Sequence, residues 1–90
     1  MPDTIHVHHI LVRHEYEAQD LLKKIQSGSD FSELAKIHST CPSSARGGDL
    51  GAVDPKRFVQ EFAEAAVALN AGEVSGPVQT RFGYHLIKRV

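Results

Sequence analysis

The stretch IHVHHILVR, residues 5–13, decides the reading of this chain. It is rich in β-branched and apolar residue types, the composition of a strand. Strand alternation places Ile5, Val7, His9 and Leu11 on one face and His6, His8, Ile10 and Val12 on the other. Both faces are partly apolar, so the strand is expected to be central in its sheet and covered on both sides. Three of the chain's 6 histidines fall within four positions here. Alternation already separates His9 from the pair His6 and His8.

Working outward, residues 14–27 read as a helix, with Ala18, Leu21, Leu22 and Ile25 at helical spacing and Gly28 as the stop. A second helix comes next, with Asp30 as N-cap, Glu33 three residues later, and Phe31, Leu34 and Ala35 on its apolar face. Residues 39–51, STCPSSARGGDLG, are loop-like, and the end of that run, GDLGAV, suits a short strand entered through a glycine turn. Asp54-Pro55 predicts the start of a third helix, with Phe58, Phe62, Ala65, Ala66 and Leu69 on its buried face and Gly72 at its end. Residues 73–79 and 84–90 are the last two strands, separated by a turn containing Gly83. The expected architecture is one α+β domain over residues 1–90. Its order is β-α-α-loop-β-α-β-β, a four-stranded antiparallel sheet flanked by three to four helices.

The chain has 90 residues, 41% hydrophobic and 23% charged, which fits one small globular domain rather than a disordered segment. A net charge of −1 with scattered basic residues lacks the footprint of a nucleic-acid binder. A single cysteine, Cys41, excludes an internal disulfide and points to a reducing compartment. No apolar run approaches a membrane span. The expectation is a whole cytoplasmic protein, a monomer, without membrane or nucleic-acid partner.

Several residues carry possible chemistry. His6 and His8 share a face about 7 Å apart, a spacing that could chelate zinc. The plainer reading, polar residues near a sheet edge or pocket rim, is preferred, and no metal or other cofactor is expected. His9 sits among apolar neighbours and needs a hydrogen-bond partner, which a structural or a functional histidine would both require. Cys41 could be a nucleophile or simply a small loop residue. Phe58, Phe62 and Phe82 could line an apolar pocket, although Phe62 reads equally well as core. Arg46, Arg57 and Arg81 read as solvated.

Four blocks in order then carry a resemblance: HILV at 9–12, FSELAKIHS at 31–39, CPSSARGGDLG at 41–51 and GEVSGPVQTRFGYHLIK at 72–88. With the helix FVQEFAEAAVAL at 58–69 between them, the whole chain resembles a single-domain parvulin, the small peptidyl-prolyl cis/trans isomerase family. The resemblance implies that His9 and His85 are the paired central histidines and that Cys41 holds the family's cysteine-or-aspartate position. It makes Thr80 the hydroxyl of the histidine network. It assigns Leu50, Phe58 and Phe62 to the proline pocket, with Phe82 at the rim, and gives His6 and His8 no functional position. Phe58 departs from the usual methionine, Val53 from a common aromatic and Gln60 from a proline. The family's phosphate-directed members carry a basic cluster after the first strand, where this chain reads RHEYEAQD, and a WW module that is absent here. A phosphoserine preference is therefore not expected.

The implied activity is non-covalent rotation about Xaa–Pro bonds in peptides and flexible protein segments, assisting folding. The expected network joins His9 to His85, with Thr80 and Cys41 at its ends. The alternative is a chaperone-like module that holds proline-containing segments with little turnover. A cysteine hydrolase is a third and weaker reading.

Overall fold

The computed structural model of the chain describes residues 4–90. Its elements are β1 (Ile5–Val12), α1 (Glu15–Gln26), α2 (Phe31–His38), β2 (Asp49–Val53), α3 (Gln60–Ala68), β3 (Val78–Thr80) and β4 (Gly83–Arg89). Two single 3-10 turns, Pro42–Arg46 and Pro55–Arg57, lie between them. All strand pairs are antiparallel and the order across the sheet is β2-β1-β4-β3. β1 is central, as its two-sided apolar pattern requires.

The two faces of β1 feed two cores. Ile10 and Val12, with Leu86 of β4, pack under α1 and α2 against Ala18, Leu21, Phe31, Leu34 and Ala35. Ile5 and Val7, with Ile87 of β4, pack under α3 against Phe62 and Ala66. Ile10, Leu86, Ile87 and Val7 are fully buried at this double layer. Local signals set the helix ends. The Asp30 side chain accepts the Glu33 N–H at the start of α2, and Gly28, at φ 108°, ends the turn after α1 in a conformation other residues avoid.

The segment between α2 and β2 extends the sheet without being a strand. Thr40 N–H donates to the Leu11 carbonyl at 2.8 Å, Leu11 N–H to Ser39 Oγ at 3.0 Å, and His9 N–H to the Gly48 carbonyl at 2.9 Å. This lays residues 39–48 along the free side of β1. Gly48 is required there: its φ is +82°, and a Cβ would collide with the His9 carbonyl oxygen.

Three expectations change. The third helix does not begin at Asp54-Pro55. Asp54 does cap, accepting the Lys56 N–H at 2.9 Å, but it caps only the 3-10 turn. Phe58 and Val59 are then extended, with ψ of 156° and 152°, and α3 starts afresh at Gln60. A proline cap signature is local and does not specify the length of the helix it opens. Residues 73–79 form less strand than expected: Val74 makes an isolated bridge to Lys88, and only Val78–Thr80 is regular. Pro77 cannot donate to a ladder, which separates the two pieces. The loop at 39–51 is more ordered than its composition suggests, with a 3-10 turn at Pro42–Arg46.

Candidate active site

His9 and His85 come together through sheet register. His9 pairs with Ile87 and Leu11 with His85 across β1 and β4. His9 and His85 are therefore diagonal neighbours on the face under α3. Their Nδ1 atoms lie 3.1 Å apart. The ring planes differ by 17° with centroids 5.3 Å apart. That separation is close to the hydrogen bond plus two ring radii, so the imidazoles meet edge to edge rather than face to face. Phe62 of α3 stands perpendicular to both, with centroid distances of 5.5 and 5.1 Å.

The remaining ring nitrogens are also engaged. His85 Nε2 is 2.8 Å from Thr80 Oγ1, and His9 Nε2 is 3.2 Å from Ser43 Oγ. Thr80 Oγ1 accepts the Phe82 N–H at 3.1 Å, so one hydroxyl fixes both a histidine and the backbone of the β3–β4 turn. A neutral pair satisfies the chain in either direction. Protons run from Thr80 through His85 and His9 to Ser43, or the reverse, with one N–H between the Nδ1 atoms each time. Burial drives both imidazoles to the neutral form. The His9 pKa is lowered to about 4 by desolvation and then by the charge of His85, and that of His85 to about 4 by desolvation. A proton on both rings would set two N–H groups against each other at the Nδ1 contact.

Beside the pair opens a groove with a cavity volume of about 470 Å³. His9, His85, Leu50, Phe58, Val59 and Phe62 form its inner wall; Leu11, Thr40, Cys41, Pro42, Arg57, Arg81 and Phe82 complete the lining. Phe58 and Phe62 meet at 4.6 Å between ring centroids. Phe82 is 57% exposed and holds the rim, with the Arg81 guanidinium 4.9 Å over its ring. The structure thus gathers His9, Cys41, Leu50, Phe58, Phe62, Phe82 and His85 around one cavity. Thr80 stands behind His85.

One detail differs from the sequence reading. The His9 end of the network belongs to Ser43, which is 4% exposed, and not to Cys41. Cys41 is half-buried just before the 3-10 turn, and its backbone N–H bonds Ser39 Oγ at 3.4 Å. The turn carries the chain inward two residues later, so Ser43 rather than Cys41 reaches the imidazole. Arg57 and Arg81 are exposed, as expected of solvated side chains, and they also border the groove. Ser43 had one weak signal in the sequence, a hydroxyl in a run that also holds the cysteine. His6 and His8 lie on the opposite face of β1 and do not reach this cavity.

The rotamase family profile, described as PPIC-type PPIASE domain, matches residues 9–90. The chain is 52% identical over 85 residues to the foldase protein PrsA of Geobacillus kaustophilus, covering 93% of this chain and 30% of that protein. The crystal structure of the peptidylprolyl isomerase PrsA from Bacillus anthracis superposes with a TM-score of 0.95 at 43% identity, over 97% of this chain and 41% of that one. The solution structure of NmPin, the parvuline of Nitrosopumilus maritimus, superposes with a TM-score of 0.87 at 41% identity, over 99% of this chain and 97% of that one. The chain therefore spans about a third of the foldase relatives and nearly all of the small archaeal one.

Proposed function

The chain belongs to the PPIC-type peptidyl-prolyl isomerase family, the parvulins, and from that premise we propose that its groove turns Xaa–Pro bonds without breaking a covalent bond. The barrier to be lowered is about 18–20 kcal/mol, set by amide resonance. Five decades of acceleration need only about 7 kcal/mol of selective stabilisation. The twisted amide separates less charge than the planar one. A dry wall of Leu50, Phe58 and Phe62 holds the proline ring while the preceding carbonyl rotates, and favours the twisted form. The histidine pair shapes this wall. Neutral and fully hydrogen-bonded, it adds no net charge, and its bonds to Thr80 and Ser43 hold both rings in place.

The observation that carries the non-covalent reading is the occupancy of the imidazoles. All four ring nitrogens have partners: each other, Ser43 and Thr80. None is left to deprotonate Cys41, as a cysteine hydrolase or a thiol-addition mechanism would require. Cys41 then acts as a polar group facing the turning amide.

The clients we propose are extended, proline-containing segments of incompletely folded proteins, consistent with the foldase relatives. We extend the proposal to a monomer in a reducing, cytoplasmic setting. A groove complete within one chain and a single thiol at its edge support this. No helix among the described residues is long and apolar enough to cross a membrane.

Phe58 gives a second reading its footing. A rigid aromatic lies against Phe62 in the floor of the groove, which would suit a module that grips proline segments without turning them over. A protease-coupled isomerisation assay on Xaa-Pro tetrapeptides separates the two. Turnover dependent on the groove supports the isomerase. Rates equal to buffer, alongside measurable peptide binding, support the module.

A further inference from the structure

On the face of β1 turned away from the histidine pair, a second set of donor atoms converges. His6 Nε2 lies 2.6 Å from Asp49 Oδ1, and His8 Nε2 lies 4.0 Å from the same oxygen. The three donor atoms all fall within 4.8 Å of one another. The two imidazoles are near-parallel, 16° between planes and 5.7 Å between centroids, as strand spacing of alternate residues dictates.

Asp49 reaches this face through an irregularity in the sheet. Ile5 pairs with Val53 and His6 with Ala52, but His8 pairs with Asp49. A regular antiparallel ladder would set Leu50 opposite His8. The one-residue slip turns the Asp49 carboxylate onto the histidine face and frees Leu50 to enter the groove on the other. One bulge therefore serves both sides of the sheet.

The second layer is also suited to a ligand. His8 Nδ1 lies 3.3 Å from the Gly47 carbonyl oxygen. A carbonyl only accepts, so Nδ1 is the donor in that contact, and the nitrogen on the Asp49 side, Nε2, is the one that could ligate. Asp49 Oδ1 is itself held by the Gly51 N–H at 2.8 Å. Two imidazole nitrogens and one carboxylate oxygen form a donor set that suits a borderline divalent transition metal far better than magnesium or calcium.

We propose that His6, His8 and Asp49 bind a divalent transition metal ion, zinc being the reference case, with solvent completing the coordination. In a tetrahedral zinc site, ligand atoms stand about 3.3 Å apart. The present separations lie on both sides of that value, so small side-chain rotations close the site. The ion replaces the proton shared by His6 and Asp49. It ties β1 to β2 at the bulge that places Leu50, and it sits outside the proline groove, so it takes no part in the isomerisation step.

The test is zinc titration of the full chain, made without a histidine tag, by calorimetry and by thermal unfolding. The expected result is one ion per chain and a rise in Tm on adding zinc but not magnesium. The H6A/H8A double variant should abolish both effects. Asp49→Asn should weaken binding by about tenfold or more, while Cys41→Ser should leave it unchanged. Absence of zinc uptake by the wild-type chain would overturn the proposal, as would unchanged affinity in H6A/H8A. Should H6A/H8A fail to fold, the cobalt spectrum of the wild-type chain decides. Ligand-field bands without thiolate charge transfer support the site, and strong thiolate charge transfer places the ion on Cys41 and refutes it.

Discussion

Acid should destabilise this protein well above the pH at which carboxylates titrate. His9 and His85 are 5% and 4% exposed, and each pKa is lowered from 6.5 to about 4. Below pH 6.5 the unfolded chain takes up protons that the folded chain refuses, so acid pulls the equilibrium toward unfolding. Stability is full above the unfolded pKa, falls as the pH drops from 6.5, and levels off once the folded pKa near 4 is passed. At about pH 5 the two-state linkage relation gives a loss of about 2 kcal/mol for one histidine and about 4 kcal/mol if both respond independently. A small domain has only about 5–15 kcal/mol in total. Urea unfolding between about pH 7 and pH 5, monitored by circular dichroism, reads the effect as a falling midpoint at constant slope. A midpoint that stays level across that window, or rises, would refute the argument that the pair is buried neutral. Turnover should likewise keep its plateau through pH 6.5, with the acid limb nearer 4. Those limits belong to the coupled pair rather than to either ring.

The same geometry sets other expectations. Ser43→Ala leaves His9 Nε2 buried without a partner and should cost about 1–3 kcal/mol by denaturant melt. Because Ser43 acts through His9, kcat should fall more than KM rises, and unaltered kinetics would remove Ser43 from the network. Cys41→Asp should keep most of the turnover in a coupled isomerase assay; complete loss in a folded variant would revive a covalent step. Arg57 and Arg81 border the groove, so peptides with glutamate before proline should be preferred to those with lysine. Arg57→Gln should lower turnover of the glutamate peptide by about fivefold and so narrow that preference, the equivalent of about 1 kcal/mol between charges in a wet groove. An unchanged preference would mean the residue before proline does not approach Arg57.

The roles of His9, His85, Cys41, Thr80 and Leu50 were legible only through the four matching blocks; what strand alternation made legible is narrower. HVHHILV separates His9 from His6 and His8 on period alone, and the structure keeps that separation across β1. The two-sided apolar pattern likewise announced a central strand with a core on each face. The hidden features depend on contacts between distant segments or on where a local signal stops. Asp54-Pro55 is a sound helix-start signal, yet the turn it caps ends at Phe58. Phe58 therefore reaches the groove from an extended segment, not from a helix face. Nothing in CPSSARGG marks which hydroxyl turns inward, because the direction is set by the 3-10 turn and by the docking of residues 39–48 along β1. The bulge that pairs His8 with Asp49 is invisible in either strand alone. It arises only when the register between them slips.

The most direct measurement of the central claim is exchange spectroscopy by NMR on an Xaa-Pro peptide at equilibrium, with the protein far below stoichiometric amount. It reads rotation itself, without a coupling protease and without any bond being cut. The account predicts cis–trans exchange peaks at mixing times where the free peptide shows none, and their disappearance with a folded Phe62→Ala variant. Peptide resonances that shift on binding while exchange stays at the uncatalysed rate would contradict it, leaving a groove that holds proline segments but does not turn them.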